Sequence, residues 1–490
     1  MELKKNYLAV ALMAATLVGC GSDSDNDDDD SGNGNGGTQP PVSTNYEVDC
    51  NADNSRCFVS GNIDEDFTMT ADRQWVLDGS VFVGAGQVAI TSAAQEQAIK
   101  DAGVTLTIEA GTDVRGLSNA TLVITRGSKI MAEGTKADPI TFSSAADDNF
   151  NGLGEWGGVI VQGFAPQYGA GNTGICSEGN ADGICNVEGE GGLDETIRYG
   201  GDDAADNSGV IRYVRIAEGG RVAGPGNEVN GLTMQGVGHG TTVEYIQVHD
   251  NLDDGLEWFG GTVNVKYAVL TGNDDDSIDF DEGYQGNIQY AIVRMTADRN
   301  SPAGSNDPRG IEANSSDDEY VPQTQAALAN ITIVGNRDYS DEPGMRLRGA
   351  LTASLYNTAV FNFDACARID DAKDVDGQGT NVPSDVTFHN VQGSSTTCGE
   401  FYNKEEADTT SGTNELQSIT LNAAAAVPGS VAQAEFAEVD NGSGFAFDNT
   451  TYIGAVDPAV AAADAWYAGW IIEGSLDDIA DQANTAPAAQ

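Results

Sequence analysis

A six-residue pattern recurs seven times between residues 211 and 391: apolar, variable, Tyr/Asn/Phe, small or apolar, variable, apolar. It reads IRYVRI at 211, VEYIQV at 243, VKYAVL at 265 and IQYAIV at 288, with weaker copies LANITI at 328, LYNTAV at 355 and VTFHNV at 386. Successive copies start 32, 22, 23, 40, 27 and 31 residues apart. A tetrad follows each hexad: small, apolar, variable, apolar. It reads GLTM at 231, GLEW at 255, SIDF at 277, GIEA at 310, GMRL at 344, CARI at 366 and CGEF at 398. Four of the seven hexad-to-tetrad offsets are 11 or 12 residues, so the longer ones mark loop insertions. A unit of this size with two short strands cannot bury its apolar face alone, but stacked on copies of itself it forms a continuous core. The alternation is that of β-strands, with no sustained helical period.

The predicted fold is therefore all-β, a right-handed parallel β-helix. The third hexad position predicts an internal ladder of Tyr213, Tyr245, Tyr267, Tyr290, Asn330, Asn357 and Phe388. This is similar to the Asn or aromatic ladders of pectate-lyase-type β-helices. Cys366 and Cys398 both open a tetrad, in successive coils. Neighbouring strands lie about 4.8 Å apart, within the Cα separation a disulfide needs. The register thus predicts a bridge between these two coils.

Upstream, 75–83, 104–109, 121–125 and 139–142 read as short strands, and the stack continues from Trp156. Residues 164–209 form a Gly/Asp-rich insertion. The β-helix is expected over 45–404, with 405–490 as a C-terminal cap and tail. Several motifs together resemble a family of secreted Gram-negative β-helix proteins of largely unknown function. They are LTIEAGT at 106, GSKIMAEGT at 127, GEWGGVIVQG at 154, DNSGVIRYVRI at 206, LEWFGGT at 256 and the terminal YIGAV…W…GW. The resemblance implies a secreted or surface-attached β-helix and no particular activity.

Residues 1–20 read as a lipoprotein signal peptide. Lys4 and Lys5 precede an apolar stretch too short to span a bilayer, which ends in Leu17-Val18-Gly19-Cys20. This resembles the bacterial lipobox, which implies acylation of Cys20. Gly21 in place of Asp implies the outer membrane, with the cell surface favoured over the periplasmic face. Residues 21–44 are acidic and Gly-rich with nothing to bury, a flexible tether. The remaining cysteines, Cys50, Cys57, Cys176, Cys185, Cys366 and Cys398, are even in number, as disulfides in an exported protein require. Cys50–Cys57 and Cys176–Cys185 are the natural local pairs. A net charge of -53 excludes nucleic acid and anionic lipid headgroups as partners and attracts divalent cations.

The third tetrad position faces outward and stacks Thr233, Glu257, Asp279, Glu312, Arg346, Arg368 and Glu400. Glu312–Arg346 and Arg368–Glu400 can pair, but Glu257, Asp279 and Glu312 cannot all be neutralised so. Asp254 and Asp276 sit in equivalent preceding turns, beside Asp253, Asp274 and Asp275. Hard oxygen ligands in stacked turns suit Ca²⁺, with Asp254, Glu257, Asp276, Asp279 and Glu312 as ligands. The competing reading is that turn carboxylates cap their own backbone and face water. A sharper alternative is glycan cleavage, with Gly238-His239-Gly240 and the paired aspartates as acid and base. The order of these residues is the reverse of that in pectin hydrolases, so no residue is assigned a catalytic role. His249 reads as a turn residue, His389 as a buried core residue and Trp258 as core. Three functions remain: a surface module binding a ligand, glycan or outer-membrane partner; a polysaccharide hydrolase or lyase; and a structural or adhesive envelope element.

Overall fold

The structure, a computed structural model, describes residues 45–168, 185–191, 197–224, 227–296, 308–316, 320–336, 342–371, 384–402, 408–433 and 435–486. The signal peptide and tether with Cys20 lie outside these residues, as does Cys176.

Three columns of parallel strands make the β-helix. The first runs through Thr105–Ile108 and Lys129–Glu133 into the leading halves of the hexad strands Gly209–Ala217, Thr242–His249, Val265–Thr271, Gln285–Arg294 and Gln325–Val334. The second runs through Asp113–Gly116 and Ile140–Ser144 into the trailing halves of the same strands. The third takes Thr121–Ile124, Val159–Gln162 and then the tetrads, from Leu232–Gln235 to Met345–Gly349. Inward residues such as Ile211, Val214, Ile246, Leu256, Phe280 and Ile331 fill one continuous core. Trp258 belongs to it and is fully buried. The antiparallel hairpin Tyr46–Cys50 and Arg56–Ile63 covers the first rung, and the Cys50–Cys57 disulfide joins its directly opposed residues. Cys185 is also disulfide-bonded.

The first six hexads bend at their third residue. Pairing runs from Arg212↔Glu244 to Val214↔Ile246 and skips Tyr213. Tyr213, Tyr245, Tyr267, Tyr290, Asn330 and Asn357 all take φ between 47° and 66°. That left-handed kink carries the chain from one column to the next and turns the side chain out of the core. The ladder expected inside is therefore on the outside. Its tyrosine rings stack at 4.4, 4.4 and 5.0 Å. Phe388 does not continue it, because Leu355 lies opposite Phe388 and Tyr356 opposite His389. The next member is Asn390, whose Nδ2 donates to Asn357 Oδ1 at 3.0 Å. Phe388 is fully buried, whereas His389 is half-buried and stacked on Tyr356.

The tetrads hold the expected register up to Arg346↔Arg368. The last one does not, since Ala365 lies opposite Glu400. Arg368 accordingly pairs with Asp370 of its own strand, at 3.0 Å, and not with Glu400. Cys366 and Cys398 meet as two buried thiols joined by a hydrogen bond, not as the disulfide that the register predicted.

The coils extend beyond residue 404, through Asp408–Ser411 and Glu415–Gln417. The chain beyond them does not cap the end of the stack. It returns along its flank as a strap, from Leu421 back to Gly469, which lies beside Lys136. Apolar strap residues cover Val269, Ile292, Val334 and Phe361, and Trp466 and Trp470 pack on the tyrosine stack. Outward amides fasten it: Gln289 and Asn287 each donate to and accept from the strap backbone, at Asp448 and Val439. The helix Ala93–Asp101 interrupts the β pattern between the early strands. Ser92 caps it by accepting from the Gln95 N–H, while the Gln95 side chain accepts from the Thr91 N–H.

Candidate functional site: a carboxylate cluster on the third column

The turns leading into the third column carry a repeating bond. Asn230 Oδ1 accepts the Asp254 N–H at 3.2 Å, Asp254 Oδ1 accepts the Asp276 N–H at 2.9 Å, and Asp276 Oδ1 accepts the Arg309 N–H at 2.7 Å. Each turn side chain thus caps the backbone of the next rung, as the structural reading of these aspartates anticipated. One oxygen of each aspartate is committed in this way and the other remains.

The strands after these turns put Thr233, Glu257, Asp279, Glu312 and Arg346 opposite one another in successive rungs, as predicted. Here the five expected ligands divide. Asp276 and Glu312 belong to an arginine network. Arg309, 1% exposed, holds Asp276 at 3.3 Å, Glu312 at 2.5 Å and Glu342 at 3.0 Å, and Arg348 reaches Glu312 at 2.6 Å. The Glu312–Arg346 approach is looser, at 3.9 Å. Asp254, Glu257 and Asp279 stay outside that network, and one carboxylate oxygen from each lies within 4.8 Å of the others. Asp253, Asp254 and Asp275 form a second group of the same kind, which shares Asp254. Among the described residues, no Lys, Arg or His lies within ion-pair distance of Asp253, Asp254, Glu257 or Asp279. Asp279 Oδ1 is buried without a hydrogen-bond donor.

The cluster is less open than an outward strand position would suggest: Asp254 and Glu257 are buried, Asp253 and Asp279 are half-buried, and the described part of the 164–209 insertion around Glu190 lies against them. Arg126, 1% exposed, pins the insertion by donating to the carbonyls of Gly86, Val88, Cys185 and Gly200. Tyr199 donates its hydroxyl to Glu282, and Tyr168 to Asp281. The insertion brings Glu190 into hydrogen-bonding contact with Glu257, which also accepts from Asn230 Nδ2. Burial first, and neighbouring carboxylates second, push Asp253, Asp254, Glu257 and Asp279 well above the usual carboxylate range. Burial and the nearby Glu228 raise Glu190 to about 7.

Such a set has two stable states near neutrality: several carboxyls protonated, or a cation among them. Oxygens that share one Ca²⁺ at about 2.4 Å lie no more than about 5 Å apart, and both groups meet that limit. The spacing of Asp254, Glu257 and Asp279 was legible in the repeat. Glu190 was not, because it arrives from an insertion without periodicity.

His239 does not join the aspartates. It lines another cavity with Lys266 and Phe445, and its backbone N–H donates to the Ala204 carbonyl. That separation removes the sequence basis for a His–Asp glycosidase site. His249 ends its strand, with Nδ1 2.7 Å from Thr271 Oγ1.

A family model described as a pectate-lyase-like β-helix domain matches residues 61–471. No curated protein matches the chain. Similar solved structures include the Dettilon tailspike protein, at 10% identity over 70% of this chain and 61% of that one, with a TM-score of 0.32. The chain thus spans 61% of the tailspike's length. The periplasmic alginate epimerase AlgG is 11% identical over 71% and 76%, with a TM-score of 0.30. PfbA, a surface adhesin of Streptococcus pneumoniae, is 10% identical over 74% and 86%, with a TM-score of 0.25. The matched residues take in nearly all of the three columns and most of the strap, and the chain belongs to the pectate-lyase-like β-helix domain family.

Proposed function

We propose that this protein is a non-catalytic envelope binding module. A lipid on Cys20 anchors it to the outer membrane, and the β-helix is presented at the cell surface to a ligand, glycan or outer-membrane partner. Ca²⁺ held by Asp254, Glu257 and Asp279 ties the rungs to the insertion. The observation that carries this reading is a carboxylate trio, with Asp254 buried and Asp279 half-buried, that has no protein cation at ion-pair distance among the described residues and has Glu190 of the insertion in hydrogen-bonding contact with Glu257. Backbone or water oxygens would complete the six-to-eight-fold coordination of the Ca²⁺.

The test is calorimetry on the chelator-stripped full chain. Saturable Ca²⁺ binding is expected, and Glu257→Gln and Asp279→Asn weaken it. No saturable Ca²⁺ binding by the stripped protein would sink the metal assignment. A polyuronide panel with and without chelator tests the non-catalytic part, and any cleavage overturns it. Protease shaving of intact cells reports the exposed face: loss of the protein from whole cells is the expected result, and survival until lysis would place it in the periplasm.

A further inference from the structure

In a chain with 76 acidic residues against 23 Lys plus Arg, a guanidinium with no carboxylate at ion-pair distance is unusual. Arg215 and Arg294 are two such residues on the flank of the second column. Neutral groups orient both. Arg215 Nε and Nη2 donate to Thr141 Oγ1 at 3.0 and 2.6 Å. Arg294 donates from Nε to Gln482 Oε1 at 3.0 Å and from Nη1 to the Ser475 carbonyl at 2.9 Å. Among the described residues, neither has a carboxylate at ion-pair distance, and Arg215 Nη1 and Arg294 Nη2 have no acceptor. Burial lowers the pKa of both, outweighing the more distant carboxylates of Asp113 on Arg215 and of Asp478, Asp477 and Asp250 on Arg294.

Both arginines line a single cavity of about 550 Å³ between the flank and the strap. Position 215 stacks on 247, 269 and 292, and Arg294 is two residues beyond. The two arginines are therefore three strand steps apart, roughly 14 Å along the stack. Phe150 and Ile472 contribute apolar surface to the same lining. Phe150 is held at φ 50°, a conformation bulky residues rarely take. The carboxylates in the lining are Asp250, 3.6 Å from His249 Nδ1, and Glu473, which is exposed, while Asp477 and Asp478 act on Arg294 and Asp113 on Arg215 from outside it.

We propose that this cavity binds an elongated organic dianion, with an anionic group at each arginine and an apolar middle against Phe150 and Ile472. The site is independent of the carboxylate cluster and of any metal there.

Calorimetry on the full chain with sebacate, succinate and sebacate monoamide tests it. Sebacate is expected to bind about tenfold or more tighter than either of the others, because neither short chain nor single charge can reach both arginines. Arg215→Gln and Arg294→Gln each abolish that preference, while Glu257→Gln, in the other site, leaves it intact. Equal binding of sebacate and succinate, no binding of sebacate at millimolar concentration, or an Arg215→Gln/Arg294→Gln double variant that binds like the parent overturns the proposal.

Discussion

Asp254 accepts the backbone N–H of Asp276, one rung further on, at 2.9 Å, and through its carboxylate also belongs to both acidic groups. The same residue therefore sets the spacing of the rungs and supplies charge to the site. A change at Asp254 alters both fold and binding, so the site is better probed at Glu257 and Asp279.

Stability should fall as pH rises in the absence of metal, and fall less in its presence. Burial raises Asp206 to about 6 and Glu190 to about 7, from ordinary values near 4. A raised carboxyl contributes stability that is full below its unfolded value and is lost as pH rises through its folded value. In chelator, Tm is expected to fall between about pH 5 and about pH 8. Millimolar Ca²⁺ should reduce that fall, because a bound cation favours the ionised form. Thermal melts across this range check it, and a Tm that rises with pH in chelator would contradict the cluster's electrostatics.

Glu257→Gln should raise the Tm of the metal-free protein at about pH 8, because it removes one of several carboxylates that repel one another. The same variant should lose Ca²⁺ affinity by about tenfold or more, since it removes a charged ligand. Melts and calorimetry on one preparation separate the two effects.

The tyrosine column should tolerate Asn better than Val. Tyr267 takes φ 66°, and the stack later passes to Asn330 and Asn357 at the same kink. Tyr267→Asn loses two stacked ring contacts, worth about 0.5–1.5 kcal/mol each. Tyr267→Val loses the same contacts and adds the strain of a β-branched residue in the left-handed region, about 1–2 kcal/mol. Urea unfolding of both variants should therefore rank Val as the more destabilised.

Arg126→Leu should loosen the insertion. It strips the carbonyls of Gly86, Val88, Cys185 and Gly200 of a shared donor, each a loss of about 1 kcal/mol or more. Limited proteolysis should then cut within 185–200 before the coils, and Ca²⁺ binding should weaken because Glu190 is no longer held against Glu257.

The repeat by itself determined the coil architecture and the rung-to-rung register. The column from Thr233 to Arg368 and the alignment of Tyr213 through Asn357 come from spacing alone, because stacked rungs must bury like positions against like. It also placed Asp254, Glu257 and Asp279 on neighbouring rungs. Periodicity weakens where rungs lengthen, and there the expected alignment is off, by two residues at Phe388 and by three at Cys398.

Three matters were decided by tertiary structure. Which side of the wall the tyrosines occupy depends on a left-handed φ at each kink, and a pattern of residue types does not specify a dihedral angle. How far the acidic column is covered depends in part on Glu190, which reaches Glu257 from an insertion that has no period to read. The route of residues beyond 417, back along the flank, is fixed by contacts with residues more than a hundred positions earlier, such as Gln289 with Asp448 and Gln247 with Ile472. Local sequence sets the period of a solenoid, but long-range burial chooses what covers it.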